Sequence, residues 1–418
     1  MIYILFSAFY FIFVRNKSKI TVFLFSILLF SSVGAILIGR KPEEDLGIMA
    51  STLFSAVLLF YLFRSFDGYK GITELSISNI SQHRLQNLER IITILGYGAF
   101  FLYGFVLAMV LPQLIQGMII VEQFKNQGEA ADYWATFLPH YYITLSNFVT
   151  PVGYFALSLH FYYLIKRNKK KTIRYLIISL IIILSGLIAL SRARTVQYAI
   201  NYVAIFLFIS PLLTERFRKN FIRVGAIFAT ALIAVMLVIS NARFSEGYSI
   251  ETKEKHIIDE SEQPVLASTL DYFAQWEEYG AQVIKDHEIG NVYMGMFSCS
   301  GLIVHIQKIV QGSEKVNAER TVRREKVLGR LSTSFLGLMA YLVCDFGYFG
   351  TPVIIFLFSL LIKHFAPKKG VLTLKTLVAL PVLFPVCGMF WCSNELSELF
   401  LDLGIIYSAI MYLWITKK

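Results

Sequence analysis

Long apolar stretches separated by short bunches of charge run from one end of the chain to the other. Eleven stand out, at 1–14, 20–39, 48–63, 91–116, 141–165, 175–191, 195–213, 224–241, 334–362, 371–391 and 397–416. Most hold about 17 to 25 residues, enough for an α-helix to cross the hydrocarbon core of a bilayer. There a helix satisfies its own backbone hydrogen bonds. The pattern predicts an all-α polytopic membrane protein of about 11 transmembrane helices. The first stretch is short. The ninth is long and carries Gly347, Gly350 and Pro352, so a broken or partly re-entrant span is expected there. No internal repeat or inverted symmetry is visible.

One connection does not fit the short-turn pattern. Segment 242–333 contains 14 of the 28 acidic residues and mixes both signs of charge. A connection this long in a compact protein is usually functional. The stretch STLDYFAQWEEYGAQVI (268–284) has Leu270, Phe273, Trp276 and Ile284 near helical spacing. The stretch MGMFSCSGLIVHIQKIV (294–310) is apolar enough to lie at a membrane interface. The expected organisation is an N-terminal bundle of about eight spans (1–241), a helical cap (242–333) and a C-terminal bundle of about three spans (334–418).

Composition agrees with this pattern. The chain of 418 residues is 56% hydrophobic and only 16% charged; its mean hydropathy is +0.60. A soluble protein would carry about 25% charged residues. The net charge of +11 sits in short turns rather than on one face, so no nucleic-acid partner is expected and membrane lipid is. With the N-terminus outside, 22 of the 39 basic residues fall in cytoplasmic turns and five in short outer ones, which favours that orientation with the C-terminus in the cytoplasm. The first apolar stretch, followed by Arg15, Lys17 and Lys19, reads as a retained helix rather than a cleaved signal. Cys299, Cys344, Cys387 and Cys392 have no metal or redox spacing.

The candidate chemistry lies at the outer edge. Arg192 and Arg194, in SRARTVQ, sit where two spans meet with almost no loop between them, and paired guanidiniums suit a phosphate or diphosphate. The plainer alternative is a turn whose arginines reach to headgroups. Arg243 leaves the eighth span at a similar depth, whereas Arg320, Arg323, Arg324 and Arg330 read as a solvated face. Asp345, Glu395, Glu398 and Asp402 are outer acids, and the last three share one helix face. They pair with arginines, or one serves as general base or sugar ligand. Among the outer histidines (His140, His256, His287 and His305), His287 and His305 are candidates for a base. No metal-binding or nucleotide-binding fingerprint is present, and neither cofactor nor metal is expected.

Two segments carry a resemblance. SRARTVQYAINY (191–202) opens a span with arginines, and STSFLGLMAYLVCDFGYFG (332–350) returns from the long outer segment into the membrane. Together they resemble the bacterial O-antigen (Wzy-type) polymerases, the oligosaccharide repeat-unit polymerases, with DFGYFG (345–350) as the signature after the loop. An arginine–glycine spacing found in some members is not met, since Val203 and Ile205 stand where glycine would.

The resemblance implies a GT-C-like membrane glycosyltransferase of the bacterial inner membrane. Undecaprenyl-diphosphate-linked oligosaccharides would be both donor and acceptor, joined at the periplasmic face. A flippase and a chain-length regulator would be its companions. In that setting Arg192, Arg194 and Arg243 would hold the diphosphate, with Asp345 as a further substrate-binding acid. Glu395, Asp402 or His287 would take the hydroxyl proton. Tyr272 and Trp276 would stack on sugars, or simply pack the cap. An O-antigen ligase or other lipid-linked glycan transferase is the alternative enzyme, and a flippase or transporter the alternative outside enzymes.

Overall fold

The computed structural model describes residues 1–40, 45–76, 80–116, 140–188, 193–219, 264–293, 300–311, 335–391 and 399–416, with scattered positions among 220–263, 294–299 and 312–334. The described chain is almost wholly helical. Its α-helices are α1 (Ile2–Phe13), α2 (Lys19–Leu37), α3 (Leu46–Arg64), α4 (Gln82–Ile115), α5 (His140–Val149), α6 (Val152–Ile165), α7 (Lys169–Ser179), α8 (Ile181–Leu187), α9 (Ala193–Ile209), α10 (Pro264–Asp286), α11 (Ser300–Gln311), α12 (Gly337–His364), α13 (Leu374–Gly388) and α14 (Leu399–Thr416). Among the described residues six helical stretches are long and apolar enough to cross a membrane: Lys19–Leu37, Leu46–Gly68, Gln82–Gln113, Ala193–Leu212, Gly337–His364 and Leu399–Thr416. Shorter apolar helices are Ile2–Phe13, Val152–Ile165 and Leu374–Gly388. The expected span 224–241 lies outside the described residues apart from one position.

The expected continuous span 141–165 is instead two helices, α5 and α6, parted at Thr150–Pro151. Proline supplies no backbone N–H to continue the ladder. The expected span 175–191 is likewise divided, with α7 passing into α8 at Leu180.

The chain forms two compact units. Unit 1 comprises Met1–Lys70, Ile250–Ala366 and Leu383–Asp402; unit 2 comprises Gly71–Ser249, Pro367–Val382 and Leu403–Lys418. Unit 1 is built around aromatic packing. Tyr10 stacks on Phe25 at 4.2 Å, Phe25 meets Phe63 at 5.4 Å, and Phe63 meets Phe390 at 5.2 Å between ring centroids. Lys70 Nζ donates to the Asn16 carbonyl at 2.6 Å and the Tyr69 hydroxyl to that of Ile362 at 2.9 Å. The basic turns before α2 and after α3 therefore gather with the end of α12.

In unit 2 a short parallel pair of strands joins β1 (Glu74–Ser76) to β2 (Val371–Thr373), with Glu74 opposite Val371. The Ser81 N–H donates to the Ile415 carbonyl at 2.9 Å and Lys171 pairs with Glu89 at 2.7 Å. These contacts collect the basic turns of this unit at one end in the same way.

Candidate functional site

At the other end of unit 1, the finish of α2 meets the face of α10. Helix α2 stops because Gly39 takes φ 72. The Gly39 N–H then bonds the Ile36 carbonyl and the Arg40 N–H bonds that of Ala35, the reciprocal pair that closes a helix behind a left-handed glycine. The stop delivers Arg40 to the helix terminus, where its charge also suits the macrodipole. Before the stop, Ser31, Ser32 and Gly34 leave room for a close neighbour. A β-carbon at Gly34 would lie 3.3 Å from the Leu270 side chain.

α10 fills that room. The Trp276 indole N–H donates to the Ser31 hydroxyl at 2.8 Å, and Ser31 donates to the Phe273 carbonyl at 2.7 Å. The Ser32 hydroxyl donates to the Glu277 carboxylate at 2.5 Å. Arg40 is 6% exposed; it pairs with Asp271 and, at 3.0 Å, with Glu278, and its guanidinium lies 4.8 Å from the Tyr279 ring centroid. Beyond them Lys285 pairs with Asp45, the N-cap of α3, which accepts from the Gly47 N–H at 2.9 Å. The helix expected from residues 268–284 is therefore wedged among α2, α3 and α12 within unit 1.

The charges are unequal in character. Burial alone would pull the Arg40 guanidinium down, but Asp271 and Tyr279 outweigh it and raise its proton affinity, so Arg40 stays cationic. Two carboxylates occupy it, which leaves little of its charge for an outside anion. Burial pushes Glu277 up to about 7, against the Ser32 hydrogen bond and the amino terminus, both of which lower it. Glu277 is thus a carboxyl that exchanges its proton near neutrality, a property common at working sites. The Lys285 hydrogen bond holds Asp45 below the usual carboxylate range. Among the described residues no three His, Cys, Asp or Glu side chains converge as a metal would require.

A second feature of unit 1 is the interruption of α12. Gly347 takes φ 65 and ψ −178 inside the helix, where only glycine is comfortable, so the expected break is present. Asp345, fully buried, accepts from the Phe297 N–H at 3.0 Å on both carboxylate oxygens, and the Tyr293 N–H bonds the Cys344 carbonyl at 3.2 Å. Asp345 therefore ties the middle of the long segment to the interrupted helix. The Tyr348 hydroxyl donates to the Ile284 carbonyl and lies 3.5 Å from that of His287, whose ring faces Tyr348 at 5.9 Å. Burial lowers the proton affinity of His287, which favours the neutral imidazole, and among the described residues its buried Nε2 has no hydrogen-bond partner.

The remaining sequence candidates fall as follows. Trp276 is 3% exposed, with its ring against Tyr3 at 4.8 Å and Phe390 at 5.2 Å, which makes it a packing residue of α10. Tyr272 is half-buried, edge-on to Phe335 at 5.0 Å and Trp391 at 5.2 Å. Asp402 stands half-buried in the first turn of α14. Arg194 belongs to unit 2, at the start of α9, and donates to the Ser185 hydroxyl at 3.0 Å. Arg192, Arg243 and Glu395 lie outside the described residues. Unit 1 thus brings together Tyr272 and Trp276 on one helix, and Asp345 and His287 at one helix break.

Sequence reasoning missed Arg40, Asp271, Glu277 and Glu278 as a set. The available signal was Asp271 and Glu278 seven residues apart, on one helix face, in a segment otherwise patterned to pack. The chain matches no protein-family model, no curated protein and no solved structure.

Proposed function

We propose that this chain is a multi-pass membrane glycosyltransferase that joins undecaprenyl-diphosphate-linked oligosaccharide repeat units into O-antigen or a related surface polysaccharide. A GT-C-like architecture, residence in a bacterial inner membrane and a periplasmic reaction face belong to the same proposal. The observation that carries it is the seating of α10. An acid- and aromatic-bearing helix from the one long connection is held by Arg40 against the ends of apolar helices, opposite the basic turns of its unit. That is where a substrate with a lipid tail and a sugar head would present its reacting bond.

In the reaction, a hydroxyl oxygen of the acceptor sugar bonds the donor's anomeric carbon while the bond from that carbon to the diphosphate oxygen breaks. The hydroxyl proton passes to a base and the lipid diphosphate leaves with the bonding electrons. His287 is suited to the proton, since burial favours its neutral imidazole and its buried Nε2 has no hydrogen-bond partner among the described residues; Asp402 and Glu395 are the other candidates. Arg194, with Arg192 and Arg243, would steady the departing diphosphate. One observation favours a second reading as a proton-coupled flippase or transporter, namely the buried Glu277 carboxyl that titrates near neutrality.

The test is the surface polysaccharide of a deletion strain on a gel, complemented with wild type, Arg194→Ala or His287→Ala. The expected result is a ladder collapsed to a single repeat, restored by wild type and by neither variant. Loss of every band, the single repeat included, would favour a ligase or flippase; an unchanged ladder would overturn the proposal.

A further inference from the structure

The turn between α6 and α7 has a charge arrangement that the described residues balance only in part. It reads Lys166, Arg167, Asn168, Lys169, Lys170, Lys171. Arg167 takes φ 57, which folds the turn tightly: the Arg167 N–H bonds the Leu164 carbonyl at 3.1 Å and the Asn168 N–H that of Tyr163 at 3.0 Å. Asn168 then caps α7 by accepting from the Lys171 N–H at 3.1 Å. Three lysines thus fill the first turn of α7, which holds no acid. This is the end of a helix where cations are unfavourable.

Two of the cations are satisfied internally. Lys166 lies 4.6 Å from the Tyr162 ring centroid, and Lys171 pairs with Glu89 of α4 at 2.7 Å. Arg167, Lys169 and Lys170 are exposed and make no ion pair among the described residues. Arg90, also exposed, follows Glu89 on α4, which packs beside α7. One to two helical turns away the surface becomes apolar and open, with Ile173 59%, Ile91 44% and Ile94 73% exposed.

We propose that this turn is a binding site for the phosphates of anionic phospholipids, with the acyl chains lying along Ile91, Ile94 and Ile173. Charge complementarity selects an anion. The exposed isoleucines one to two helical turns from the cations select a lipid over a soluble acidic partner, which would leave them uncovered. Three uncompensated cations fit the two phosphates of cardiolipin better than the single phosphate of phosphatidylglycerol. The site does not depend on the glycosyltransferase reading.

The test uses the purified full chain in neutral detergent, with cardiolipin, phosphatidylglycerol, phosphatidylcholine and inorganic phosphate as separate probes. Retained lipid is read by native mass spectrometry and stabilisation by thermal unfolding. Cardiolipin should be retained and should raise Tm most, phosphatidylglycerol less, and phosphatidylcholine and inorganic phosphate not at all. The variant Arg167→Gln/Lys169→Gln/Lys170→Gln should bind cardiolipin more weakly by on the order of a hundredfold, roughly fivefold for each cation removed. Lys169→Glu alone should act in the same direction. Neutralising Arg216, Arg218 and Lys219, a basic cluster elsewhere in unit 2 in which Lys219 pairs with Glu215 at 2.9 Å, should leave retention unchanged. Equal retention by the triple variant, equal loss in the control, or stabilisation by inorganic phosphate matching that of cardiolipin would each overturn the site.

Discussion

Replacing Arg40 with leucine should dislodge α10. In the native arrangement the Arg40 and Asp271 side chains are 4% and 3% exposed, and Glu278 is reached at 3.0 Å with 18% exposure. At that separation and an effective dielectric of about 20, the Arg40–Glu278 attraction alone is about 5 to 6 kcal/mol. Much of it offsets the cost of taking both charges out of water. The perturbation therefore reads the asymmetry rather than the attraction. Arg40→Leu leaves the buried Asp271 carboxylate with its cationic partner gone, a loss of about 3 to 5 kcal/mol.

The double variant Arg40→Leu/Asp271→Leu removes the two most buried charges, leaves only the 18% exposed Glu278, and should recover to within about 2 kcal/mol of wild type, since buried pairs are often no better than apolar replacements. Asp45→Ala, which breaks a pair whose members are 30% and 40% exposed and removes the N-cap of α3, should cost clearly less than Arg40→Leu. The assay is equilibrium unfolding in mixed micelles, with trypsin cleavage after Lys285 as a local report on α10. If Arg40→Leu cost less than about 1 kcal/mol, or no more than Asp45→Ala, the anchoring role given to Arg40 would be wrong.

Three further outcomes follow from the same geometry. Glu277, ordinarily near 4.5 and raised here to about 7, makes the folded chain hold a proton that the unfolded chain has released between those values. Stability should therefore be highest below this window, fall as pH rises through it, and carry the full cost of about 3 kcal/mol above it. Glu277→Gln should flatten the profile and be the more stable protein at pH 8.5, as measured by unfolding at pH 5 and 8.5. A β-carbon at Gly280 would collide with the Leu336 carbonyl oxygen, so Gly280→Ala should push α10 away from the entry to α12 at a cost of about 1 to 3 kcal/mol, seen as faster trypsin cleavage after Lys285. Gly347→Ala should cost about 1 to 3 kcal/mol, because its φ and ψ belong to glycine. Hydrogen exchange at Tyr293 and Phe297, whose N–H groups bond to α12 at Cys344 and Asp345, should accelerate with it.

The elements that were legible in the sequence share one property: their cause is local. Apolar length foretells α2, α3, α4 and α12, and the glycine and proline in α12 foretell its break. Spacing of Leu270, Phe273, Trp276 and Ile284 foretells α10, which extends a few residues further at its start. The site does not have this property. Arg40 looked like one more base in a short outer turn, because its partner Asp271 lies 231 residues away and no local pattern announces the pairing. Glu277 and Glu278 are chemically identical neighbours in the sequence. One becomes a buried carboxyl titrating near neutrality and the other a half-open partner of Arg40, and only the docking of α10 distinguishes them.

That docking depends in turn on Ser31, Ser32 and Gly34, which in an apolar stretch pass for ordinary membrane-helix residues. Small residues let the helices approach, and the two serines supply the hydrogen bonds that a polar helix needs at a membrane edge. A buried arginine with two carboxylates is poor value as stability alone. Its effect is specificity: with Asp271 and Glu278 both on Arg40 and Glu277 on Ser32, α10 has one register in which its buried charges are matched, and sliding it by a turn would strand them. The helix that the long segment contributes to unit 1 is held in place by the interactions that sequence reasoning could least foresee, since each joins residues whose nearness exists only after folding.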